Sequence, residues 1–182
     1  MRRHAWLGLI VLGAAAAVLA GCASPRPLPP VPKVDVDRFL GDWYVIAHIP
    51  SWPERDAFNA VESYARKPDG RIQTTFRFRR GSFEAPEKTM HPVGTVQPGT
   101  NGAIWGMQFV WPIQAEYVIA YLNEAYTQTI VGRSKRDYVW IMARTPTISE
   151  ADYAALVTRV GAMGYDIGEL RRVPQQWPAP GR

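Results

Sequence analysis

Gly41-Asp42-Trp43-Tyr44-Val45-Ile46-Ala47 is the stretch on which the reading of this chain turns. Phe39 and Leu40 lead into Gly41, whose missing Cβ permits a tight backbone approach. Trp43, Val45 and Ala47 then alternate with Tyr44, Ile46 and His48. A period of two belongs to a strand whose two faces meet different surroundings, and it predicts a first strand over residues 43–49.

The same signal recurs downstream at even spacing, over residues 59–66, 71–80, 90–97, 103–111, 117–122, 126–132 and 137–144. Lys67-Pro68-Asp69-Gly70 joins the second strand to the third as a turn in which Pro sets φ and Gly accepts a positive one. In the third strand Ile72, Thr74, Phe76 and Phe78 oppose Gln73, Thr75, Arg77 and Arg79, so one face is wet. The fifth places Trp105, Met107, Phe109 and Trp111 on one face, and the sixth does the same with Tyr117, Ile119 and Tyr121. In the eighth, Tyr138, Trp140 and Met142 alternate with Val139, Ile141 and Ala143, and both faces are apolar.

The period changes after Thr145-Pro146-Thr147-Ile148-Ser149. Ser149 followed by Asp152 resembles a capping box. Tyr153, Leu156, Val157, Val160 and Met163 recur at helical spacing, and Gly164 fits a C-terminal cap. A short last strand over 167–173 and a loose tail over 175–182 complete the chain. Short strands at even spacing argue an all-β sandwich or barrel. Brief sequential connections favour the barrel over an immunoglobulin-like sandwich, whose Greek keys need long crossings. The expected fold is all-β: an eight-stranded up-and-down antiparallel barrel with one C-terminal α-helix packed outside.

On the N-terminal side, Arg2 and Arg3 precede an apolar run from Ala5 to Leu19, which ends on Leu19-Ala20-Gly21-Cys22. The run is short of the ~20 residues of a bilayer span and ends in small residues, so it reads as a signal peptide over 1–21 rather than a transmembrane anchor. Cys22 is the single cysteine, which leaves no intramolecular disulfide and no cysteine-based metal site. Pro25-Arg26-Pro27-Leu28-Pro29-Pro30-Val31-Pro32 favours extended polyproline II, and residues 22–33 read as a semi-rigid tether rather than a proline-motif ligand. The barrel domain then spans 34–174. Removing residues 1–21 takes two of the 21 bases and none of the 16 acids, leaving a net charge of +3. That mild charge, with no basic cluster interleaved with aromatics, argues against nucleic acid.

Three places resemble the lipocalin family. Gly41-Asp42-Trp43-Tyr44 is similar to its first signature. Asp137-Tyr138-Val139-Trp140-Ile141-Met142-Ala143-Arg144-Thr145-Pro146 is similar to its third, whose Arg packs over the signature Trp at the closed end of the barrel. The second signature, Thr-Asp-Tyr, would fall at Asn123-Glu124-Ala125, and there the chain departs from it. Leu-Ala-Gly-Cys resembles the bacterial lipobox, so the resemblance is strongest to bacterial outer-membrane lipocalins. It implies acylation of Cys22, a membrane anchor through that lipid, and, with Ala23 following, an outer-membrane address with the domain facing the periplasm. Gly41, Trp43 and Arg144 read as structural: a guanidinium over an indole contributes roughly 0.5–2 kcal/mol.

An eight-stranded barrel is just wide enough for a small ligand. The candidates for its interior are Phe76, Phe78, Trp105, Phe109, Tyr117, Tyr121, Trp140 and Met142, each with the alternative of packing into a dry core. Strand parity decides between the faces. The resemblance implies storage or transport of a fatty acid or lysophospholipid in that cavity. No cofactor or metal is expected: G-x-S-x-G, H-E-x-x-H and the P-loop are absent, and His48 and His91, read as surface residues, lack partners at metal spacing. The alternative is a structural or assembly lipoprotein of the outer membrane. It would expose an apolar patch, sought at the loop 50–58 with Trp52 and Phe58, and dimerisation through that loop stays open.

Overall fold

The computed structural model describes residues 26–179. The signal peptide, the lipidation expected at Cys22 and the last three residues lie outside the described residues. A short helix, α1 (Val36–Phe39), is N-capped by Asp35, whose carboxylate accepts from the amides of Asp37 and Arg38. Nine strands follow: β1 (Gly41–Ile49), β2 (Ala57–Arg66), β3 (Ile72–Arg80), β4 (Glu87–Met90), β5 (Val93–Val96), β6 (Ile104–Val110), β7 (Ile113–Leu122), β8 (Gln128–Gly132) and β9 (Val139–Ala143). They pair antiparallel in sequence order, with β4 and β5 both beside β3, and β1 pairs back onto β9. Closure removes the unpaired edges of an open sheet.

β4 and β5 are the halves of one barrel strand, parted at His91-Pro92. Proline has no N–H for the ladder, and its carbonyl accepts from Thr74 N at 3.0 Å. The barrel is thus eight-stranded, as the spacing predicts. The helix α2 (Glu150–Ala162) packs outside, with the Ser149 hydroxyl accepting from the amide of Asp152. The strands carry two apolar layers. Trp43, Val45, Phe76, Phe78, Trp105, Tyr117 and Met142 fill the interior. Ala47, Ile49, Val118, Ile130, Val139 and Ile141 meet Leu156 and Val160 of α2 on the outside. The two apolar faces of β9 belong to these two layers.

The two terminal segments differ from expectation. Residues 26–33 do not stand off as a spacer. Leu28 is buried in the outer layer, its amide donates to Ser134 Oγ at 3.0 Å, and Val31 N donates to Ile119 O at 2.9 Å. An extended proline-rich chain has its remaining amides free, and the barrel wall supplies their acceptors. The tail from residue 175 is not loose over the described residues either. Bulges in β1 between Val45 and Ala47 and in β2 between Phe58 and Val61 break the ladder and leave backbone groups without strand partners. The C-terminal chain occupies them. After the two-residue strand β10 (Arg171–Arg172), Val173 N donates to Ile46 O, Asn59 N to Pro174 O, and Gln175 Nε2 to both Val45 O and Ala60 O. Trp177 then packs edge-on against Tyr44.

Candidate ligand cavity

Because neighbouring strands alternate in direction, the connections after β1, β3, β6 and β8 emerge at one end and those after β2, β5, β7 and β9 at the other. The second end is shut. Trp43 is fully buried, donates from Nε1 to Phe39 O at 2.8 Å, and packs against the Phe39 ring. The Arg144 guanidinium lies 3.8 Å from the Trp43 ring centre and donates to the carbonyls of Asp42, Arg38, Phe39 and Tyr126. Gly41 makes room for it: φ is +92°, and a Cβ there would sit 3.4 Å from Arg144 Nη1. At the departed second signature, Asn123 Oδ1 closes the turn by accepting from the amides of Thr127 and Gln128.

The first end opens into a cavity of about 360 Å³, at the small end of the ~300–1,000 Å³ typical of small-molecule sites. Phe76, Met90, Met107, Tyr117 and Trp140 form its apolar wall, with Pro53 and Phe109 among its other lining residues. Of the residues expected inside, Phe76, Phe109, Tyr117 and Trp140 line this space. Phe78 stacks on Phe76, Trp105 stacks on Tyr117, and Met142 is fully buried in the packed interior.

Tyr121 is a correction. A bulge in β7 between Ile119 and Tyr121 shifts the parity, so Leu122 packs with the interior while Tyr121 faces outward under Arg159, whose guanidinium sits 4.5 Å from the ring centre. Phe109 is a partial one: it reaches the cavity but is 54 % exposed, and Trp111 on the same predicted face is 81 % exposed, because β6 ends and the chain turns over the rim. His48 is the third. The β1 bulge sets it opposite Trp140, inside the barrel, where it is 2 % exposed and not on the surface. His91 is exposed, as expected.

The sequence reading did not single out the acids. Glu62 is 9 % exposed at the floor of the cavity, and Tyr64 Oη donates to its Oε2. The Tyr64 and Tyr117 hydroxyls are 2.5 Å apart. Burial first, and the Glu54 carboxylate second, push Glu62 up to about 8. The same burial, with Glu62 adding, pushes the Tyr117 hydroxyl up. Glu54 accepts from Trp140 Nε1 at 2.9 Å and from Ser51 Oγ at 2.5 Å, with His48 Nδ1 3.8 Å away. A hydrophobic alternation gives Val61 priority over Glu62 as the inward residue. Only Asn59, a residue type that tolerates the left-handed φ of +47° found at this bulge, hinted at the break.

The lipocalin-like domain model matches residues 34–175. The chain belongs to the lipocalin family. Among its curated lipocalin relatives, the outer membrane lipoprotein Blc of Citrobacter freundii is 30% identical over 93% of this chain and 97% of that protein. Temperature-induced lipocalin-1 of Arabidopsis thaliana is 28% identical over 82% of this chain and 84% of that one. Among solved structures, insecticyanin from the tobacco hornworm Manduca sexta superposes with a TM-score of 0.65 at 14% identity, covering 84% of this chain and 86% of that one. For this lipocalin, Gly41, Trp43 and Arg144 are the seal of the closed end, and the cavity is its interior site.

Proposed function

We propose that this lipocalin is a lipid-anchored outer-membrane protein that stores or transports a single-chain hydrophobic ligand of membrane origin, a fatty acid or lysophospholipid, with its barrel on the periplasmic side. The observation that carries the reading is that the apolar cavity opens at the end where Trp52, Phe109, Val110, Trp111 and Ile113 stand exposed. Large apolar side chains left exposed together at one end of a domain mark a surface for a membrane or a partner. The N-terminal segment supports the same end: Arg136, in the loop after β8, donates to the carbonyl of Arg26, four residues from Cys22. Acylation at Cys22 would therefore hold the cavity mouth near the bilayer. A volume of about 360 Å³ suits one acyl chain rather than two, and each CH₂ transferred from water adds ~0.8 kcal/mol.

The test is mass spectrometry of lipids extracted from the Cys22→Ser chain purified without detergent, with tryptophan-fluorescence titration by a lysophospholipid and a fatty acid. A co-purified single-chain lipid or saturable quenching is expected, and Trp140→Ala weakens it several-fold. An empty protein that ignores both ligands transfers the weight to an assembly lipoprotein, for which the exposed rim is a protein contact. Cys22→Ser also weakens membrane association of the full chain; association as tight as that of the unaltered chain refutes the anchor.

A further inference from the structure

The loop between β1 and β2 separates two spaces. Ser51, Pro53 and Glu54 line the apolar cavity, whereas the next four residues, Arg55, Asp56, Ala57 and Phe58, line a second cavity of about 360 Å³. This space exists because β1 and β2 pair only over Gly41–Tyr44 and Val61–Tyr64. Nearer the open end they part, and Arg171 to Pro174 fill the gap, with β10 on β1 and Pro174 O accepting from Asn59 N. His48 lies between the two spaces. It lines the second one and is buried, and its Nδ1 has no hydrogen-bond partner, with Glu54 Oε2 3.8 Å away.

The two spaces differ in charge. The apolar cavity carries Glu54, Glu62 and Glu116 against Arg133 alone. The second is lined by Arg55, Arg171 and Arg172 against one acid, Asp56. Arg172 is engaged elsewhere, held by both oxygens of Glu150 and lying over the Tyr153 ring. Among the described residues, Arg55 and Arg171 have no ion pair and no side-chain hydrogen bond. Close by, Arg80 sits opposite Ala57 in the β2–β3 ladder and lies over the exposed Trp52 ring, with no acid paired to it.

Two unpaired guanidinium groups on one concave surface, with a single carboxylate beside them, leave it positive, and the planar donor fork of arginine matches the oxygens of a phosphate. The rest of the wall favours a lipid over a free ion. Ala57, Phe58 and Pro174 add apolar surface to it, which a free ion in water would not use. Trp52 beside it is an aromatic of the kind that settles at a membrane interface. We propose that the pocket of Arg55, Arg171 and His48 is a receptor for the phosphate of a bilayer phospholipid, which docks the open end on an anionic surface. The site is distinct from the apolar cavity and independent of what that cavity carries; it rests only on the placement of the open end against a membrane.

Co-sedimentation of the Cys22→Ser chain with vesicles of phosphatidylcholine, alone or mixed with phosphatidylglycerol, tests this beside calorimetric titration with inorganic phosphate. The apolar run at residues 5–19 is common to every variant, so differences between variants isolate the pocket. Phosphatidylglycerol should strengthen association, and Arg55→Gln and Arg171→Gln should each reduce that gain about fivefold. Both side chains are exposed and unpaired, so neither change removes a contact that holds the fold. Lys135→Gln removes the same charge from an exposed position at the same end and should stay within about twofold. A loss as large in Lys135→Gln overturns the inference, because charge alone then explains the binding. Equal association of the unaltered pocket with both kinds of vesicle overturns it without any variant. Inorganic phosphate bound through the two arginines, with no response to phosphatidylglycerol, overturns the lipid source. The fatty-acid titration of the same chain reads the apolar cavity separately, so either proposal can fail while the other stands.

Discussion

The two ends of this barrel are built from the same residue types and do opposite things. At the closed end Phe39, Trp43, Tyr64 and Trp105 are buried, each ring against another, with Arg144 laid over Trp43 and bonded to four backbone carbonyls. At the open end Trp52, Phe109 and Trp111 face solvent. The contrast teaches that an aromatic residue's role is set by what the chain brings above it. α1 and the residue after β9 cover one end. At the other, the loops only turn back.

The sharpest way to break this comparison is to exchange a tryptophan at each end. Trp43→Ala should cost about 3–5 kcal/mol, as large-to-small changes in a dry core do, read as a drop in the denaturation midpoint. A loss under about 1 kcal/mol would mean that the closed end is not the anchor of the fold. Next in size, Arg144→Met keeps the aliphatic cover but removes the donors to Asp42, Arg38, Phe39 and Tyr126. With carbonyls left unpaired it should destabilise by about 2–3 kcal/mol, and urea denaturation of the variant checks this.

The third prediction concerns the floor between the two ends. The folded chain holds a proton on Glu62 up to about pH 8, whereas the unfolded chain releases it near 4.5. Between those values the native state binds more protons, so this group's contribution is intact below pH 4.5 and is lost as pH rises through the window, at up to about 1.4 kcal/mol per unit. Glu62→Gln should flatten that slope in urea denaturation between pH 5 and 8, and an unchanged slope would place the titration elsewhere. The smallest effect on stability belongs to the rim. Trp111→Ser should stay within about 0.5 kcal/mol of the parent while reducing co-sedimentation with phospholipid vesicles, and a large destabilisation would show that the rim is packed after all.

The strands, the capped helix and the seal of Trp43 under Arg144 were legible because each is written in neighbouring residues: an alternation, a Ser before a helical period, a Gly before a Trp. Phe76, Tyr117 and Trp140 were legible as interior for the same reason. Glu62, His48 and Tyr121 were not, because each lies beyond a bulge that reverses the faces of its strand. The proline-rich segment and the tail were legible as extended chain but not as bound chain, since the acceptors for Leu28 and Val31 lie on β7 and beyond β8, and those for Gln175 on β1 and β2.

What the sequence determined by itself is therefore the set of strands and helices and the residues that close one end, all consequences of backbone periodicity over a few positions. Which side chains face the cavity, that a carboxyl sits at its floor, and that residues 28–31 and 173–177 bind the wall were decided only by the tertiary structure. Here distant segments satisfy the groups that the bulges free, and burial at the cavity floor, with Glu54 adding, pushes the Glu62 carboxyl up.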